Sequence, residues 1–132
     1  MNRASAVLGA AFPGEGPSWS DPEGLRAALW ADGDGRAILE AVEAMAAEHA
    51  DVVVGQRKTY TAFSRAVQFA AIRPVKGGAA VLGLRVEPEG ARLLPRARES
   101  WSDRLAASVR LERPEDFDQE VRAAFARAYE AG

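Results

Sequence analysis

The sequence has no cysteine, a single histidine, His49, and only two lysines, Lys58 and Lys76. Without cysteine, a disulfide scaffold, a thiolate metal site and thiol catalysis are excluded. One imidazole cannot build an all-histidine zinc site, and no serine lies in the setting of a nucleophile elbow. We therefore expect no metal ion and no cofactor, we assign no catalytic residue, and we interpret His49 as a structural residue at a helix end.

The chain also lacks an excess of charge of either sign and any long apolar run. Its 17 basic and 19 acidic side chains leave a net charge of -2, which argues against a nucleic-acid partner. No segment approaches the roughly 18 apolar residues that a membrane span requires. We expect a soluble, cytoplasmic protein, and 132 residues suffice for one ordinary hydrophobic core.

Helical periodicity is present at three places. Asp21 followed by Pro22 predicts a short helix that runs to Trp30. Apolar residues recur at helical spacing from Ile38 to His49, which predicts a helix over 35–49 with Asp34 as its cap. Pro114 and the acidic residues after it start a second long helix, predicted over 114–130.

The middle of the chain instead shows the alternation and the β-branched residues of strands. We predict four: a run from Val52 through Tyr60, then Val67 to Val75, Ala79 to Glu87, and Ala107 to Leu111. The third is the clearest, because Ala80, Leu82, Leu84 and Val86 share one face. Residues 92–101 give no clear signal beyond a loop or a single helical turn.

These elements predict an α+β fold, with an antiparallel sheet of about four strands and the helices 35–49 and 114–130 packed on one face of it. We place an N-terminal arm with one short helix at 1–35 and a single α+β domain at 36–132. The three tryptophans, Trp19, Trp30 and Trp101, lie outside the clearly predicted elements, and we expect them to pack the arm or to cover a groove.

The order of elements resembles a known family. A helix leads to Asp51-Val52-Val53-Val54 and Arg57-Lys58-Thr59-Tyr60, strands follow with Phe69-Ala70 and Val81-Leu82-Gly83-Leu84, and Pro114-Glu115-Asp116-Phe117 opens the last helix. Over residues 36–131 this resembles the small bacterial domains of unknown function DUF5655, which are similar to the YdhG-like DUF1801 domains. The resemblance implies the fold and carries no established activity.

Basic side chains are concentrated on the predicted sheet. A face buried under helices would not tolerate so many unpaired charges, so part of one face is expected to be open. Guanidinium groups on such a face suit carboxylate or phosphate. We predict ligand contacts from Arg57, Arg73 and Arg85, with Tyr60 and Lys76 at the rim. The alternative is a solvated face whose basic side chains pair with Glu87, Glu89 and Glu99.

Two functions from different classes are compatible with this pattern. The first is a non-enzymatic binding or interaction module for an anionic small molecule or peptide, with a homodimer as an open alternative. The second is a small enzyme that uses arginine electrostatics with a carboxylate base such as Glu99 or Asp103. The enzyme requires an acid or base beside the arginines in a pocket poor in water, whereas a binding face requires only the basic groove.

Overall fold

The computed structural model describes residues 21–132, where three α-helices and six strands form an α+β fold. The helices are α1 (Pro22–Leu29), α2 (Gly33–Ala46) and α3 (Gln119–Ala131). The strands are β1 (Val53–Gln56), β2 (Thr61–Ser64), β3 (Gln68–Val75), β4 (Ala79–Leu84), β5 (Leu94–Pro95) and β6 (Ala107–Leu111), and a 3-10 turn, Pro114–Asp116, precedes α3.

The helix starts are set by aspartate side chains. Asp21 caps α1 as predicted, because its carboxylate accepts from the Gly24 N–H at 3.1 Å. The cap of α2 is Asp32 rather than Asp34, and the helix runs from Gly33 to Ala46 instead of over 35–49. It therefore ends three residues before His49, whose ring stacks on Tyr129 with the ring centroids 4.5 Å apart.

The last predicted helix, 114–130, is interrupted near its start. After the 3-10 turn, Phe117 leaves helical geometry, and the Asp118 carboxylate accepts from the Val121 N–H to begin α3. This backbone hydrogen bond, helped by the Arg92 guanidinium, lowers the pKa of Asp118 below its ordinary value. A proline followed by two acids is a helix-start signal, but here it produces one separate turn.

All strand pairs described within residues 21–132 are antiparallel, in the order β1-β2-β3-β4-β6-β5. The prediction of about four strands is wrong in number for two reasons. The first predicted strand contains β1 and a turn that leads into β2, where Gln56 opposes Thr61 and the Arg57 N–H donates to the Tyr60 carbonyl at 2.9 Å. The short β5, in a segment predicted as a loop or a single helical turn, pairs with β6.

Both long helices pack on one face of the sheet, as predicted. Leu82 and Leu84 of β4 are fully buried there with Val42 of α2 and Phe125 of α3. The register shifts between Phe63 and Ser64, so that Phe69 is an extra residue in β3 and joins Ala70 in the same core. We call this the helix face and the opposite side the second face.

The described part of the predicted N-terminal arm contributes to the core. Trp30, directly after α1, is 1% exposed, and its indole N–H donates to the Thr61 hydroxyl at 3.0 Å. Trp19 and the rest of residues 1–20 lie outside the described residues. None of the helices described within 21–132 is both long enough and apolar enough to cross a membrane.

Candidate functional site

A loop covers the middle of the second face. We call residues 96–106 the covering loop; it places Trp101 and Leu105 in a small second core with Ala71 of β3. The loop is held by Arg96, whose guanidinium donates to the carbonyl of Ser102 at 2.6 Å and lies 3.3 Å from the Asp103 carboxylate. The second face is thus closed at its centre, which leaves only its ends for a ligand.

Arg73 is paired with a carboxylate of the covering loop. Its Nε and Nη2 donate to the two oxygens of Glu99 at 2.7 and 3.1 Å. The Glu99 side chain is 3% exposed and that of Arg73 is 31% exposed. This bidentate pair anchors the loop to β3 and occupies both Arg73, predicted as a ligand contact, and Glu99, considered as a base.

Trp101 lies directly against the backbone of Gly83. A Cβ built on Gly83 would lie 2.7 Å from the Trp101 Nε1 and 2.8 Å from Cε2. The other edge of the aromatic cluster is Tyr60, whose ring meets that of Trp101 at 85° with centroids 5.6 Å apart. Glycine in a strand interior here provides the space that the indole ring needs.

We therefore expect Gly83→Ala to displace Trp101 and the covering loop. The added methyl group overlaps a rigid ring, and such overpacking costs about 1–3 kcal/mol of unfolding free energy. Denaturation measures the loss, and Trp101 fluorescence should report a more hydrated indole. Ala71→Gly removes a methyl group from the same small core and is the control, because it should leave the ring in place. Unchanged stability and fluorescence in Gly83→Ala would contradict this packing.

Buried polar atoms that lack a hydrogen-bond partner are concentrated on the second face. Within residues 21–132 they are the Gln68 Oε1, the Arg85 Nη1 and the Trp101 Nε1. Strand alternation places Gln68, opposite Ser64, and Arg85, two residues after Gly83, on this face. Buried donors without an acceptor are rare in folded proteins, and a charged one costs more than a neutral one.

Arg85 also lines an open cleft beside the covering loop. The cleft has a volume of about 530 Å³ and is lined by Arg85, Val86, Glu87, Asp103, Arg104 and Ala106. Backbone pairing holds Arg85 in place, because its N–H donates to the Phe69 carbonyl at 2.9 Å. The side chain therefore extends from a rigid strand end toward a space that a small molecule can enter.

The structure does not bring the predicted contact residues into one site. Arg73 lies opposite Val81 on the neighbouring strand. Arg85 comes four residues after Val81, which corresponds to about 13 Å at the rise of a strand. Arg57 is exposed at the edge of the sheet beside Gly55, and Lys76 is exposed in the β3–β4 turn. Tyr60 packs on Trp101.

The sequence interpretation missed the role of the covering loop. Trp101 covers the second face, one of the two roles expected for it, but the return of residues 96–106 over the sheet and the Arg104 lining of the cleft were not predicted. The sequence contains one signal for this loop. Gly83 interrupts the most clearly alternating predicted strand at a position that faces away from the helix-face core, and glycine there allows another segment to approach the backbone closely. Within 21–132, no three side chains among histidine, aspartate and glutamate are grouped so as to hold a metal ion.

The fold and this site define a small α+β domain with an antiparallel sheet, two helices on one face and, on the other, a loop-bordered cleft lined by two arginines and two carboxylates. The model of the family described as a domain of unknown function, DUF5655, matches residues 27–132, so the chain belongs to this family. The match begins within α1, before the boundary at 35 that the sequence suggested. No curated protein and no solved structure matches the chain.

Proposed function

We propose that the protein is a non-enzymatic binding module that takes the anionic group of a small molecule or peptide at the Arg85 cleft. The observation that carries the proposal is the buried Arg85 Nη1, which has no acceptor in the described part of the chain. Because Nη1 itself is enclosed, a carboxylate or phosphate in the cleft would pair with the side of Arg85 that lines the cleft, and so would balance a guanidinium that has no ion-pair partner within residues 21–132.

The surroundings of Arg85 favour recognition of one anionic group. Arg104, on the loop side of the cleft, adds a second guanidinium. Asp103 and Glu87 also line the cleft, and the charge of Asp103 is offset by Arg96 at 3.3 Å. Arg73 is neutralised by Glu99 and Arg57 lies at the sheet edge, so the proposal centres on Arg85 and makes no use of those two residues.

The alternative, a small enzyme with a carboxylate base, has less support. Glu99 has both oxygens committed to Arg73, and the Asp103 side chain is fully exposed. General-base catalysis requires a carboxylate within a water-poor pocket beside the reacting group, and an exposed aspartate is not in such a pocket. A binding role requires no such group.

A binding panel tests the proposal. Inorganic phosphate, acetate, citrate, nucleotides and a short acidic peptide are titrated by calorimetry, with thermal shifts as a first screen. At least one anion should bind in a manner that weakens with salt, and Arg85→Gln should weaken it about ten- to hundred-fold, the size of a lost charged hydrogen bond.

Arg110→Gln is the matched control, since Arg110 lies on the same face and outside the cleft. It should bind the same anion with unchanged affinity. Binding that survives Arg85→Gln, or a panel in which no anion binds, rejects the site. Turnover of any panel compound that is lost in Asp103→Asn would favour the enzyme instead.

The cellular setting is also a proposal. We infer a bacterial, cytoplasmic protein related to YdhG-like domains, which is supported by the resemblance of the chain to small bacterial domains and by its balanced charge. Neither a nucleic acid nor a membrane is proposed as a partner, because the cleft and its basic residues match a single small anionic group.

A further inference from the structure

The strand β1 forms an edge of the sheet as described over 21–132, where it pairs only with β2. Its residues Val53-Val54-Gly55-Gln56 carry no charge, and Val53 and Val54 are 62% and 47% exposed. Natural edge strands are usually protected by charged side chains, proline or bulges, because their unpaired N–H and C=O groups can pair with another chain. None of these protections lies within β1, so this edge is suited to strand pairing.

We propose that a second copy of this chain occupies the edge, and that two β1 strands pair antiparallel about a two-fold axis. In an antiparallel ladder, hydrogen-bonded residue pairs alternate with pairs that are not hydrogen-bonded. A two-fold axis perpendicular to the sheet must map each pair onto one of the same kind, so it passes through the centre of one residue pair. If that axis lies at Val54, the residue faces Val54 of the other copy. Every other strand residue then faces the one equally far beyond the centre. Asp51, in a turn with a φ of 64° before β1, and Arg57 of the other copy, directly after β1, then lie at the same end of the joined strands.

Charge complementarity supports this register. Asp51 precedes β1 and Arg57 follows it, both are exposed, and neither is in an ion pair within residues 21–132. The symmetry creates the Asp51–Arg57 pair twice, once at each end of the joined strands. A foreign peptide would need this same charge pattern, whereas a second copy carries it by identity.

Shape also fits. Val54 opposes Phe63, a core residue, so it lies on the helix face and a Val54–Val54 contact would extend the apolar side of both sheets. Val53 would face Gly55 of the other copy, which has no side chain of its own, and the flexible Arg57 side chain that now lies over Gly55 would turn toward the end of the joined strands. Arg57 already lies on that side, with its Nη1 3.6 Å from the position of a Gly55 Cβ. The helices of both copies then lie on the same side of one continuous sheet.

Sedimentation and light scattering of the full chain over a range of concentrations test the proposal. The protein should form a reversible dimer, and Arg57→Asp should raise its dissociation constant at least about ten-fold, because two attractive pairs become repulsive. Lys58→Asp is the matched control: this base is not opposite Asp51 in the proposed register, so its dissociation constant should change by less than about three-fold at physiological salt.

An exchange of charges between the two copies distinguishes a loss of strand pairing from a loss of folding. Asp51→Arg alone should weaken the dimer like Arg57→Asp, but a mixture of the two variants should form a heterodimer with restored affinity, because both cross-strand pairs are attractive again. A protein that is monomeric at every concentration overturns the proposal, as when its own first twenty residues occupy the edge. A dimer that Arg57→Asp leaves intact, or a mixture without rescue, also overturns it. Arg85→Gln should dimerise normally, so this result is independent of anion binding.

Discussion

Leu84→Asp is expected to lose at least about 4 kcal/mol of unfolding free energy, a large share of the about 5–15 kcal/mol that stabilises a typical domain. Leu84 is fully buried in the helix-face core, with Ala70 and Ala107 as its neighbours on the flanking strands. A carboxylate there would have no partner and no water, and a buried unpaired charge is among the most costly substitutions. Urea denaturation followed by circular dichroism measures the loss.

Leu94→Asp is the control for this experiment. It makes the same change on a strand of the same sheet, but Leu94 is 58% exposed and the new charge stays in water. Its effect should lie within about 0.5 kcal/mol. Similar losses in the two variants would show that Leu84 does not face the core.

The regular elements could be predicted wherever local pattern and burial agree. The strand Ala107–Leu111 has the predicted bounds, because Ala107, Val109 and Leu111 face the core and alternate with more exposed residues. The start of α1 was predicted for a similar local reason, since Asp21 and Pro22 act within one helical turn. Such elements need no information from distant parts of the chain.

The β1–β2 hairpin was missed because its turn lacks the usual residues. Neither glycine, proline nor asparagine occurs in Arg57–Tyr60, so the segment resembled the interior of a long strand. The turn is instead held by the Arg57 N–H on the Tyr60 carbonyl and by the Gln56 amide, which donates to the Arg57 carbonyl at 2.8 Å. The Gln56 side chain thus stabilises this turn in place of the glycine, proline or asparagine that usually marks a turn in a sequence.

The candidate site was harder to predict, because it depends on contacts between distant residues. Strand alternation placed Arg73 and Arg85 on one face, but Arg73 meets Glu99 across 26 positions of the chain. From the sequence, Glu99 was one of three possible partners, with Glu87 and Glu89, and no pattern distinguished among the three. The one signal in the sequence, Gly83, did not identify residues 96–106 as the segment that returns over the sheet, so the division of the face into a closed centre and an open cleft came only from the structure.

The Arg73–Glu99 pair has a consequence that depends on which partner is removed. Arg73→Gln leaves the buried Glu99 carboxylate without its cation, at a cost of about 3 kcal/mol of unfolding free energy. Glu99→Gln leaves a guanidinium that reaches water, since Arg73 is 31% exposed, and should cost clearly less. Arg110→Gln is the matched control, because its pair with Glu112 is exposed and is worth less than about 1 kcal/mol.

The double variant Arg73→Gln with Glu99→Gln decides whether the cost comes from the stranded charge. Two amides can hydrogen-bond each other, and no ion remains buried, so the double variant should be more stable than Arg73→Gln alone when both are measured by chemical denaturation. If the two single losses instead simply add, Glu99 reaches water without Arg73 and the loop is not anchored by this pair. A loss for Glu99→Gln as large as that for Arg73→Gln would show that the unpaired guanidinium costs as much as the unpaired carboxylate, which contradicts the access of Arg73 to water.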